Sequence, residues 1–127
     1  MDAWQVEGPL DNNLGLLVRY QGDDDSFYWF QISSDGYYSV DLLQAGEWMS
    51  LAAWEPSTAI QQGPGAVNHL VVECDGSEFD FSVNGTYLTT ITDPSFASGS
   101  IGLAAGAFAE PGVVVQFDNL KVTELEE

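Results

Sequence analysis

Residues 79–91, FDFSVNGTYLTTI, decide the fold class. Apolar and polar side chains alternate through FDFSV, Asn84-Gly85 interrupts, and TYLTTI resumes a strand-like run. A two-residue type I′ turn needs positive φ at both central positions, which Asn and Gly tolerate best, so the stretch predicts a β-hairpin. The same period of two recurs outward in both directions, in runs bounded by Gly, Asn and Asp. It predicts strands at about 2–7, 14–20, 26–33, 37–44, 47–54, 67–74, 78–83, 86–92, 100–106 and 113–123, and leaves no segment with helical periodicity. Further turns are expected at SDG (34–36), AG (45–46) and DGS (75–77). Ten short strands joined by tight turns imply an all-β, antiparallel two-sheet sandwich or jelly roll. The one long connection, EPSTAIQQGPGA (55–66), is of a length that often borders a site.

Composition narrows the partners. A chain of 127 residues is most simply one domain, 1–127, with enough material for a core. Twenty Asp and Glu against Arg19 and Lys121 alone give a net charge of −18. Phosphate backbones and anionic lipid are repelled by such a surface, so neither nucleic acid nor membrane insertion is expected. Neutral sugars, divalent cations and basic partners stay open, as does a plain solubility role for the charge. No apolar run approaches the roughly 20 residues of a membrane span. The single Cys74 allows no intrachain disulfide. With no signal-peptide pattern at its acidic start, MDAWQVEG, the chain reads as a soluble domain or a piece of a longer protein.

Candidate site residues follow from the strand pattern. In SFYWFQIS, Tyr28, Phe30 and Ile32 make the better core stripe, which turns Phe27, Trp29 and Gln31 to the other face. An aromatic ring beside an amide can meet a sugar's C–H face and its hydroxyls, although Trp29 can equally pack beneath a loop. Arg19, in the neighbouring strand, has a planar fork suited to vicinal hydroxyls or a carboxylate, or to neutralising the acids around it. Trp48 and Trp54 lie six apart in one expected strand and share a face unless a bulge intervenes. Asp23 and Asp25, in the QGDDD loop, offer clustered oxygens to calcium without the spacing of an EF-hand, and a solvated turn is the alternative. Alternating loops put this acidic run at the same end as Asp75 and Asp93, with Asp11, Asp35, Glu55 and Glu110 at the other. His69 has no visible Ser, Cys or second His partner, so it suggests neither nucleophilic catalysis nor zinc chemistry.

Beyond single residues, GPLDNNLGLLVRYQGDDDSFYWFQISSDGYYSV, followed by GEW, VNG, FASGSIGLAAG and EPGVVVQFDNLKV, resembles a known family. It is similar to the family 16 glycosyl hydrolase-like domains of the concanavalin A-like lectin/glucanase superfamily, including the related 3-keto-disaccharide hydrolase domains. The resemblance covers nearly the whole chain and implies two packed sheets, one of them concave, with ligand in the groove or on its rim. It also implies that an N-terminal strand ahead of DAWQVEG is missing, which would leave an edge open to another chain. Through the resemblance, Asp118 in QFDNL looks like a late-strand calcium ligand whose partner would lie in that missing segment. ECDGSE (73–78) fits the E-x-D-x-x-E pattern of family 16 glucanases letter by letter. In those enzymes, however, the acids share one strand, whereas Asp75-Gly76-Ser77 reads here as a turn.

The expectation that results is a non-catalytic extracellular or cell-surface module of a longer bacterial protein. It would bind carbohydrate on a concave face through Arg19, Trp29, Gln31, Trp48 and Trp54. No cofactor is required, and calcium is a candidate at Asp23, Asp25 and Asp118. A hydrolase of the 3-keto-disaccharide type and a self-assembling domain, homo-oligomeric through sheet edges, are the alternatives.

Overall fold

The computed structural model describes residues 2–7, 12–21, 26–63, 66–96, 100–107 and 114–118. They form β1 (Asp2–Glu7), β2 (Asn12–Tyr20), β3 (Phe27–Ile32), β4 (Tyr37–Gln44), β5 (Glu47–Pro56), β6 (Asn68–Asp75), β7 (Glu78–Val83), β8 (Thr86–Thr92), β9 (Ser100–Ala107) and β10 (Val114–Asp118). Two antiparallel sheets result, in the orders β10-β1-β6-β7-β8 and β5-β4-β3-β2-β9. Among the described residues there is no helix, and so none long and apolar enough to cross a membrane. The all-β, two-sheet jelly-roll expectation is met.

The turns form where the sequence places them. Asn84 and Gly85 have φ of 54° and 81°, and Ala45 and Gly46 have 51° and 85°, so both two-residue hairpins take positive φ at both centres as a type I′ turn requires. Between the sheets, alternate residues of each strand meet in the core. Tyr28 and Phe30 of one sheet pack on Phe79 of the other, with ring centroids 4.6 and 5.8 Å apart, and Phe30 also meets Phe81 edge-on at 5.5 Å. Leu14, Leu16, Val40, Leu42, Leu70 and Val83 complete this apolar layer.

The long connection is tied down at one end of the sandwich. Ile60 is buried, and Asn68 holds the loop by accepting from the Gln61 N–H (2.8 Å) while donating to its carbonyl (3.0 Å). Asn84 of the β7–β8 turn donates to both the Ala59 carbonyl and Asn68 Oδ1. These bonds make the loop part of the scaffold.

Two local departures from regular alternation bear on the site. On β2, register against β9 slips between Leu17 and Tyr20, and Arg19 within the slip has φ of 54°. On β5, register against β4 slips between Tyr38 and Val40 and again between Val40 and Asp41. Each slip is a bulge that places one extra residue on its strand. β1 is hydrogen-bonded on both sides, to β10 and β6, and β2 lies between β3 and β9, so neither is an edge. Among the described strands the edges of the two sheets are β10 and β8, and β5 and β9.

Candidate functional site on the outward face of the β5-β4-β3-β2-β9 sheet

Burial of Tyr28, Phe30 and Ile32 turns Phe27, Trp29 and Gln31 away from the core, because successive side chains on a strand point to opposite faces. Cross-strand register then decides their neighbours. Trp29 lies opposite Leu17 on β2 and Asp41 on β4, Gln31 opposite Gly15 and Ser39, and Phe27 opposite Leu43. On β5, Ser50 lies opposite Asp41 and Trp48 opposite Leu43.

Aromatic rings run across one part of this face. Tyr20 stacks on Phe27 at 6.0 Å, Phe27 meets Trp48 edge-on at 5.8 Å, and Trp48 tilts against Trp29 at 6.2 Å. Trp48 is 57% exposed, so the row includes an accessible indole. Trp54 is also exposed, and the two bulges set it beside Ser39, between the pairs Tyr38–Glu55 and Val40–Ala52. The two tryptophans of the edge strand therefore bracket the level of Asp41.

Polar groups occupy the part next to the rings. Gln31 is buried and donates from Nε2 to Asp41 Oδ2 at 2.7 Å. Burial pushes the Asp41 carboxyl above its ordinary range, and the Gln31 hydrogen bond only partly opposes it. Two enclosed polar atoms, Trp29 Nε1 and Ser39 Oγ, have no hydrogen-bond partner among the described residues. Gly15 belongs to the same layer because a Cβ there would lie 2.0 Å from the Phe30 carbonyl oxygen, so the backbones approach too closely for any side chain.

Arg19 is not brought to Trp29. Its bulge turns the guanidinium toward the seam between the sheets, where it donates to the carbonyls of Gly76 (2.6 Å) and Phe96 (2.8 Å) and stands 4.5 Å above the Phe79 ring. With all of those contacts made, it ties the end of β2 to the β6–β7 turn. Asp23 and Asp25 lie outside the described residues. Asp118 closes the described part of β10, in register with Asp2. Asp2 itself pairs with His69, Oδ1 to Nδ1 at 2.6 Å, on the exposed surface. Among the described residues no group of three His, Cys, Asp or Glu is placed to hold a metal ion.

The E-x-D-x-x-E match divides across a hairpin. Glu73 is on β6 and Glu78 on β7, with Gly76 in the turn at φ of 61°. Both point away from the core stripe of Leu70, Phe79 and Phe81, on the opposite side of the sandwich from the aromatic row. Asp41 and Ser39 were missed by reading strands singly. The signal was the SDG turn, which fixes Ile32 opposite Tyr38 and, counting away from the turn along both strands, Ser39 opposite Gln31 and Asp41 opposite Trp29.

No family model matches the chain, and none of the curated proteins does. Among solved structures it is similar to the carbohydrate-binding module CBM66 from Bacillus subtilis, with TM-score 0.69 and 17% identity over 91% of this chain and 71% of that one. It is similar to sheep galectin-11 in complex with glycerol, with TM-score 0.60 and 16% identity over 91% and 87% of the two chains. A third likeness is to the CBM40 of the Ruminococcus gnavus IT-sialidase bound to alpha2,6 sialyllactose, with TM-score 0.51 and 15% identity over 84% and 61%. At such identities the likeness is one of fold. It supports the two-sheet jelly-roll sandwich and does not reach the family 16 or 3-keto-disaccharide hydrolase families.

Proposed function

We propose that the protein is a non-catalytic carbohydrate-binding module that takes its glycan on the outward face of the β5-β4-β3-β2-β9 sheet. The observation that carries this reading is the junction of the Tyr20–Phe27–Trp48–Trp29 ring row with the Gln31–Asp41 pair. A pyranose presents an apolar C–H face and a rim of hydroxyls, so it needs rings and hydrogen-bonding groups side by side. Trp48 and Trp29 supply the first, and Asp41, Gln31 and Ser39 the second. Trp54 would extend the platform along β5.

Absence of catalysis is argued from the chemistry of the face. Glycoside hydrolysis usually requires two carboxyl groups across the scissile bond. On the described strands of this face, Asp41 is the one carboxylate in register with the rings. An extracellular or cell-surface location within a longer bacterial protein belongs to the same reading and rests on the sequence resemblance. Calcium as an accessory belongs to it too, at Asp23 and Asp25 through their clustered oxygens and at Asp118 through the resemblance.

The test is a glycan array followed by calorimetry on each hit, with wild type, Trp29→Ala and Trp48→Ala. Each variant should lose roughly 1–3 kcal/mol of binding while staying folded, the scale of a lost stacked ring. Folded variants that bind as wild type does would remove the platform. Release of reducing sugar from a bound glycan would replace the reading by the hydrolase.

A further inference from the structure

Resting on that reading, we propose that this face selects sugars carrying a protonated amine, with Asp41 receiving the ammonium beside the Trp29–Trp48 ring pair. The first ground is the state of the carboxylate. Asp41 lies in the second row of the sheet face, opposite Trp29 on one side and Ser50 on the other. Gln31 fixes Oδ2, and among the described residues it is the one side chain that hydrogen-bonds Asp41. A partly buried carboxylate held by one neutral amide is poorly compensated, since burial disfavours the charged form unless a cation or several donors restore it. The upward displacement of its titration agrees with that.

The chain has few means of supplying the cation itself. Its Lys and Arg residues are Arg19 and Lys121, and its one histidine, His69, pairs with Asp2 on the other sheet. Arg19 is engaged by the Gly76 and Phe96 carbonyls and the Phe79 ring, and Lys121 lies outside the described residues. A ligand ammonium would supply what the described part of the face lacks. It would also come within reach of indole rings whose centroids are 6.2 Å apart, and a cation within about 6 Å of such a ring is attracted to its face.

A second observation is independent of charge. Ser39, on the same face of β4 two residues before Asp41, is 1% exposed, and neither its Oγ nor Trp29 Nε1 has a hydrogen-bond partner among the described residues. Enclosed polar atoms without partners are uncommon in folded proteins, and a bound hydrogen-bonding group is one way to satisfy them. An amino sugar offers both an ammonium for Asp41 and neighbouring hydroxyls for these atoms. Uronic and sialic acids would meet Asp41 and a net charge of −18 with like charge, whereas the field of the chain draws cations toward it.

Three tetrasaccharides of one linkage separate the possibilities: the β-1,4-glucosamine tetramer, its fully N-acetylated counterpart, and the glucose tetramer. Each is titrated calorimetrically into wild type, Asp41→Asn and Glu73→Gln, the last removing a carboxylate from the opposite side of the sandwich. Wild type should bind the glucosamine tetramer about tenfold more tightly than the other two, as expected for a charge-assisted bond joined to a cation–π contact. In Asp41→Asn that ratio should fall toward one, and in Glu73→Gln it should stay. Equal binding of the three by wild type overturns the amine selectivity and leaves the carbohydrate reading standing. A preference that survives Asp41→Asn, or falls equally in Glu73→Gln, assigns it to the diffuse negative field and likewise overturns the proposal. Binding of none of them, together with an empty glycan array, removes both. Should Asp41→Asn not fold, Asp41→Ser reads the same ratio.

Discussion

The two faces of β3 are built to different standards. Inward, Tyr28, Phe30 and Ile32 are buried, their rings pack on Phe79 and Phe81, and the one polar atom among them is provided for, because the Tyr28 hydroxyl donates to Asp93 Oδ1 at 2.6 Å. Outward, among the described residues, Trp29 has an enclosed N–H with no acceptor, its neighbour Ser39 an enclosed hydroxyl with no partner, and Asp41 one neutral side-chain donor. Each unmade bond costs on the order of 1–3 kcal/mol. The inward face carries no such cost at Tyr28, whereas the outward one does beside the aromatic row, and the proposed glycan site rests on that contrast.

The largest expected effect separates the faces directly. Phe30→Ala empties a site enclosed by Phe79 and Phe81 and should lower unfolding free energy by about 3–5 kcal/mol in a denaturant titration. Trp29→Ala, on the half-open side of the same strand, should cost the fold less than half as much while weakening glycan binding by the roughly 1–3 kcal/mol expected of a lost stacked ring. Equal losses of stability would mean that Trp29 belongs to a second core, and the contrast would fail.

Next comes the hydroxyl of Tyr28. Burial first, and then the bond to Asp93, push the Tyr28 phenol up to about 12. For Asp93, burial favours protonation, but hydrogen bonds from Ser95 and Tyr28 outweigh it and hold the carboxyl below its ordinary range. Tyr28→Phe should therefore lose about 1–2 kcal/mol at neutral pH. The pH dependence of the two faces has opposite sign. Asp93, depressed in the folded state, contributes stability that is present above its unfolded value and lost as pH falls through its folded one. Asp41, raised by burial, favours the fold in its protonated form, so its contribution is present at low pH and lost as pH rises from the unfolded value through the folded one. Unfolding measured from pH 3 to 7 should accordingly show a shallower acid decline in Tyr28→Phe and a steeper one in Asp41→Asn. Identical slopes in both variants would remove the asymmetry.

How much of this was readable in advance depends on whether local periodicity or register carries the information. The strands and all four tight turns follow from alternation and from Gly, Asn and Asp at fixed places, which is why the core stripe of β3 was evident. Arg19 was not readable, since nothing in LLVRYQ announces positive φ at an arginine, and that one bulge sends the side chain to the seam between the sheets. Trp48 and Trp54 depended on a parity that two bulges on β5 reset. Asp41 and Ser39 were hidden for a different reason, because their importance lies in what stands opposite them. The expectations for Asp23 and Asp25 fall outside the described residues.

The smallest effect concerns the turn that joins β4 to the Trp48 strand. Ala45 has φ of 51°, a left-handed conformation that costs an L-residue with a Cβ roughly 1–2 kcal/mol, part of which glycine's extra freedom in the unfolded chain cancels. Its N–H is held by Ser26 Oγ at 3.0 Å, and since that bond uses only the backbone, Ala45→Gly preserves it. The variant should gain a few tenths to about 1 kcal/mol of stability, read as a modest rise in Tm. Asn at the same position should give a similar gain, since it tolerates the left-handed region and completes the Asn-Gly pair used at 84–85. Glycan affinity decides what the gain means for the contrast between the faces. If the outward face is already set by β3 and β4, affinity should be unchanged, because relieving the turn adds nothing to the ring row. If affinity rises together with stability, the position of Trp48 is governed by the strain at Ala45, and the face is one that tightens as its edge strand settles.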